Sequence, residues 1–179
     1  TLQGASSSNF EISILHGNRD FLLGSDFSKR TGCTLIEEPF VLETQSCKAL
    51  LLHGDSLCTD DIEHQAFRTM VRTKDWQLNF LRRPILERDK LAQTVRYRSE
   101  YGKSTKPLNI MDVNQSAVVN EFNQTSARVM IHGHTHRYRN EKIGKVRIIN
   151  PGECAGIIEG RNSVGSINLK DLKFERIFF

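Results

Sequence analysis

Two histidines one residue apart, His134 and His136 in HGHTHR, follow directly on an apolar run. A pair of this kind leaving a strand can aim two imidazoles at neighbouring points of one cleft, and Gly133 removes side-chain bulk there. Imidazole nitrogen suits Zn, Mn, Fe or Ni, and mixed nitrogen and oxygen ligation suits Mn or Fe. Two further stretches extend the donor set: His53 in HGD and Asn18 in HGNRD. An asparagine binds a metal only through its amide oxygen, a neutral ligand that leaves more positive charge for an anionic substrate. Arg19 beside it offers a planar fork matched to phosphate oxygens, and Asp20 and Asp55 are placed to orient imidazoles or loop amides. Taken singly, Asn18-Arg19 reads equally as a surface turn and Asp55 as a helix cap. Metal-compatible residues at three separate strand ends weigh against that coincidence. His64 has no such pattern and reads as structural.

The elements that must position these residues are legible from periodicity. FEISIL (10–15) alternates apolar and polar positions before HGNRD, KALLLHGD (48–55) carries a continuous apolar run, and RVMIHGHTH (128–136) repeats that design. Each is a strand delivering His-Gly and polar residues at its end, where α/β proteins place ligand sites. From Asp60 to Lys106 the spacing turns helical, with Phe67, Met70, Val71, Leu78 and Leu81 on one face and Trp76 and Phe80 on another. Pro84 breaks the pattern near Arg83, and a second helical stretch follows with Leu86, Leu91 and Val95. Residues 62–106 read as a helical insertion in a single domain spanning 1–179; residues 114–122 predict another helix, and VRIINPG, VGSINL and FERIFF predict closing strands.

With 38% hydrophobic and 26% charged residues in 179, the chain suits one core. It has no run of eighteen apolar residues, and TLQGASSSNF lacks the features of a leader, so a cytoplasmic location is expected. Cys33, Cys47, Cys58 and Cys154 are scattered and are expected to be reduced and structural. A net charge of +4 does not imply a nucleic-acid partner, yet residues 82–106 hold eight Lys or Arg against three acids. That excess reads as a solvated helical face or as a surface for phosphates.

HGNRDFLLG, HGDSLCTDD, IMDVNQ and HGHTHR, in this order and spacing, resemble the UDP-2,3-diacylglucosamine diphosphatases of lipid A synthesis, a branch of the calcineurin-like metallophosphoesterases. The resemblance covers residues 11 to about 138. It implies an α/β fold, a layered αββα sandwich with a helical lid at 62–106, and a two-metal site holding Mn2+ at which water attacks phosphorus. By the family pattern Asn18, His53 and His134 serve the second metal and His136 the first. Arg19 is the catalytic arginine, and Asn18, Arg19, Asp61, Ser99, Lys106 and His134 fall on substrate-binding positions. The implied substrate is a UDP-linked diacyl sugar, the products UMP and 2,3-diacylglucosamine 1-phosphate, and the partner surface the inner membrane, approached by a monomer. The basic insertion then reads as a lid with cations near the diphosphate and apolar groups around two acyl chains.

Two features depart from that pattern. The family's strand bearing Asp-x-His and its strand bearing the metal-bridging aspartate have no counterpart here, so the expected chain is a fragment with its N-terminal strands missing; a partner-completed or degraded site are the alternatives. From about Gly144, VRIINPGECAG and NSVGSINL are more similar to small archaeal-type phosphodiesterases of the same superfamily. A general phosphodiesterase or nucleotide diphosphatase, or a non-catalytic scaffold module, therefore stand as the other readings.

Overall fold

A computed structural model describes residues 2–6, 11–153, 163–168, 170–171 and 173–178, with the side chains of Lys103 and Ser163 outside that description. Cys154 also lies outside it. Strand β1 (Ser13–Leu15) pairs in parallel with β2 (Thr34–Ile36) across helix α2 (Ser25–Thr31), which follows a short α1 (Leu2–Ser6). The main sheet has five strands in the order β3-β4-β5-β7-β6: β3 (Phe40–Glu43), β4 (Lys48–Leu52), β5 (Val129–His132), β7 (Val146–Asn150) and β6 (Arg139–Ile143). A hairpin of β8 (Ser163–Asn168) and β9 (Lys173–Phe178) completes the strands.

The continuous apolar runs of β4 and β5 have a direct cause: both faces of the central sheet are buried. On one face Leu50, Leu52, Met130 and Ile148 pack against Val118 and Phe122 of α6 (Gln115–Thr125). On the other, Ala49, Val129 and Ile149 pack against Ile167 and Phe174 of the hairpin. Neighbouring residues of one strand thus serve opposite layers, as the pleat requires. Cys33, Cys47 and Cys58 are buried free thiols, and burial pushes the Cys58 thiol up to about 12.

The helical stretch forms three helices, α3 (Ile62–Val71), α4 (Lys74–Leu81) and α5 (Ile85–Thr105). Asp61 caps α3 by accepting from His64 N–H, and Thr73 caps α4 by accepting from Trp76 N–H. Pro84 occupies the N-cap of α5, at the predicted break. The apolar positions of these helices are divided between the body and solvent. Val71 is buried, but Leu78, Leu81, Leu86, Leu91 and Val95 are exposed, Leu86 at 75%. The physical reason is that α5 is interleaved with charged residues on every side, so it has no stripe wide enough to seat on the body.

Candidate metal centre

Two adjacent parallel strands build the site. Leu52 of β4 is in register with His132 of β5, and Gly133 N–H donates to the His53 carbonyl at 2.9 Å just past the strand ends. This stitch brings the rings of His53 and His134 to a centroid separation of 5.1 Å. His134 and His136 have φ of 61° and 57°, a left-handed backbone that non-glycine residues adopt at a cost. The strain is held by Asn150 at the end of β7, whose amide donates to Gly133 O at 2.9 Å and to Thr135 Oγ1 at 3.0 Å. The third strand end, at β1, carries Asn18, which lines a small recess with Asp55, His64, Phe67, Arg68 and Arg72. Gly17 packs so closely that a Cβ there would stand 3.0 Å from Cε1 of His53.

Burial sets the protonation of the imidazoles. It lowers the pKa of His53, and burial together with the proximity of His53 lowers that of His134 to about 3. Both rings are neutral at physiological pH, the form that binds a metal. Nε2 of His53 is buried without a protein hydrogen-bond partner, which leaves it open to a cation when it carries the lone pair. Among the described residues no three His, Cys, Asp or Glu side chains converge as a cage. The donor set present therefore fits one side of a divalent-metal site rather than a whole one. His136 is exposed at the rim.

The other expected residues are spread around the rim. Arg19 is 53% exposed, and its guanidinium donates to Glu100 Oε1 of α5 at 2.8 Å. Ser99, the residue before Glu100, is exposed on α5. Asp61 and Lys106, at the two ends of the helical stretch, are bonded to each other at 2.7 Å, and Lys106 also reaches Glu63 at 2.9 Å. Asp20 accepts from Gly17 N–H and so orients a loop amide.

His64, read from sequence as structural, sits at the centre. Its ring lies 5.3 Å from that of His134, and its Nε2 is 3.6 Å from Asp55 Oδ2. Burial works to raise the Asp55 pKa, but His64 and Arg68 outweigh it and hold the carboxyl well below the usual range. A lone histidine on a helix offers no local signal of this role. Asn150 was equally silent, although an asparagine between the apolar pair Ile148-Ile149 and Pro151 is a mark of a buried hydrogen-bonding duty.

Residues 102–172 match the calcineurin-like phosphoesterase superfamily domain. A protein of Escherichia fergusonii named UDP-2,3-diacylglucosamine hydrolase is 45% identical over 136 residues, which cover 76% of this chain and 57% of that protein. Over residues 102–172 the chain is thus similar to the calcineurin-like phosphoesterase superfamily domain. The like-named protein of Escherichia coli O7:K1 is 45% identical over the same extent, so the chain spans little more than half the length of these relatives. A solved archaeal phosphodiesterase shares the phosphoesterase fold at a TM-score of 0.54 and 17% identity, covering 99% of this chain and 74% of that one. The superfamily fold implies use of a divalent metal. No described helix is long and apolar enough to cross a membrane.

Proposed function

We propose that this chain carries part of the active site of a hydrolase acting on UDP-2,3-diacylglucosamine, with UMP and 2,3-diacylglucosamine 1-phosphate as products. The observation that carries the reading is the meeting of His53 and His134 at neighbouring strand ends in a chain 45% identical over 136 residues to relatives named for that hydrolysis. Asn18, His53 and His134 would hold one divalent cation and His136 a second, with Mn2+ the preferred ion. When bound, such cations lower the pKa of a water and offset charge on the phosphate. Arg19 positions the equatorial phosphate oxygens, leaving Glu100 as substrate enters. Asp61, Ser99 and Lys106 bind the nucleotide and sugar where α3 and α5 meet the body. Residues 62–106 act as a lid, and the exposed Leu78, Leu81, Ile85, Leu86, Leu91 and Val95 form the kind of apolar surface that acyl chains and a membrane face would cover. The protein works as a monomer at the inner membrane face.

A general phosphodiesterase is the second reading. Trp76 stacks on Phe80 at 5.0 Å and lies 6.0 Å from Phe21, so these aromatics already cover one another. Incubating the full-length protein with UDP-2,3-diacylglucosamine, Mn2+ and 18O-water tests both. The first reading predicts UMP carrying the label, with cleavage of the diacylated substrate impaired by Trp76→Ala while a soluble diester is spared. Cleavage of the soluble diester alone would establish the second.

A further inference from the structure

Beneath the candidate ligands lies a buried ion cluster built from three segments of the chain. Arg68 on α3 and Arg72, the residue that caps its C-terminus, stand one turn apart, so both guanidinium groups leave the same face of the helix. Arg68 Nη2 donates to Glu38 Oε1 at 2.6 Å, and its Nε lies 3.2 Å from Asp55 Oδ1. Arg72 Nη2 lies 3.5 Å from the same Glu38 oxygen and 3.9 Å from Asp55 Oδ2. The two carboxylates are only 5% and 1% exposed, and two arginines offset them, so the cluster is neutral as a whole.

Its outward bonds all run to the candidate centre. Glu38 Oε2 accepts from His53 N–H at 2.8 Å. Arg72 Nη2 donates to the carbonyls of His16 and Gly17 at 3.4 and 3.3 Å, the two residues immediately before Asn18. On its other side the same loop is held by Asp20, which accepts from Gly17 N–H. Gly17 thus faces the His53 ring with no room for a side chain between them, and Arg72 ties the carbonyls of that loop to the end of α3. A guanidinium can engage carbonyl and carboxylate oxygens together through a fixed fork, whereas an ammonium acts as a single point charge.

We propose that Arg72 is a positioning residue: from α3 it sets the separation between the Asn18 loop and the His53 imidazole, and through it the affinity of the centre for a divalent cation. The inference rests on Asn18 and His53 being ligands, as proposed above. The competing account is that Arg72 merely balances buried acid charge.

Three variants of the full-length protein separate the two accounts. Arg72→Gln removes both the fork and a positive charge. Arg72→Gln combined with Glu38→Gln restores neutrality, since Asp55 then faces Arg68 alone, and keeps an acceptor for His53 N–H. Arg72→Lys keeps the charge and loses the fork. Each is titrated with Co2+ by visible absorption, followed by amide hydrogen exchange over residues 16–20 and by thermal melting. Arg72→Gln should bind Co2+ about tenfold more weakly with faster exchange across the loop. The double variant and Arg72→Lys should melt near the unaltered protein yet retain the weakened Co2+ affinity. Recovery of full affinity in either of these two would overturn the proposal in favour of charge balance, as would unchanged affinity in Arg72→Gln. Co2+ titration needs no turnover, so its outcome is independent of whether the diacylated substrate is hydrolysed, which is the failure that would sink the proposed function alone.

Discussion

Asn150 offers the sharpest test of how the histidine loop is held. Its side chain is fully buried and makes three hydrogen bonds: two donated, to Gly133 O and Thr135 Oγ1, and one accepted from Gly152 N–H. Each such bond contributes about 1 kcal/mol net, and a buried group left unpaired costs more. Gly133 O keeps a second partner in His132 Nδ1 at 3.2 Å, and Thr135 is only partly buried, so neither is fully orphaned. Asn150→Ala should therefore destabilise the protein by about 3 kcal/mol, and Asn150→Asp, which keeps the bond from Gly152 but turns an oxygen toward Gly133 O, by about 2 kcal/mol or more. Urea unfolding followed by circular dichroism reads this as a lower midpoint at unchanged slope. Because the released loop lets His134 leave its left-handed backbone, Co2+ affinity should fall as well. A loss under about 0.5 kcal/mol in Asn150→Ala would refute the assignment of Asn150 as the residue that holds the strained loop.

Arg19→Lys keeps the charge but not the planar fork, so kcat should fall on the order of 10²-fold with a smaller change in KM; recovery on adding excess Mn2+ would instead assign the arginine to the metal. His134→Ala, by contrast, should make activity depend steeply on added Mn2+ in the same titration. Gly17→Ala places a methyl 3.0 Å from the His53 ring, and should weaken Co2+ binding while costing about 1–3 kcal/mol of stability, read by absorption titration and melting. Burial raises the Asp61 pKa, but the hydrogen bonds from Lys106 and His64 N–H outweigh it and leave the carboxyl below its usual 3.8. A depressed native pKa adds stability that is present above the unfolded value and lost as pH falls through the native one. Stability profiles of the unaltered protein and Asp61→Asn should therefore converge below about pH 4; a constant gap down to pH 2 would mean that the Lys106 pair does not set this dependence.

The candidate site was legible in outline because its candidate ligands sit next to local signals. An apolar run ending in His-Gly marks a buried strand and its exit, and that pattern placed Asn18, His53 and His134 at the ends of β1, β4 and β5. Pro84 and the polar caps act through their own backbone, so the helix breaks were readable too, although Thr73 divides the first helical stretch where periodicity shows no stop. The resemblance across HGNRD, HGD and HGHTHR pointed to the superfamily for the same reason: these are short stretches in which residue type and spacing carry the chemistry. What the sequence could not determine is which side chains meet across long separations. His64 reaches His134 only because α3 docks over the ends of β4 and β5, and Arg68 and Arg72 reach Glu38 and Asp55 by the same docking. Asn150 reaches Gly133 because β7 runs parallel to β5 in a particular register. Helical spacing likewise could not foretell that α5 would leave its leucines in solvent, since an apolar position states that a residue can be buried and only the packing of the rest decides whether there is a surface to bury it against.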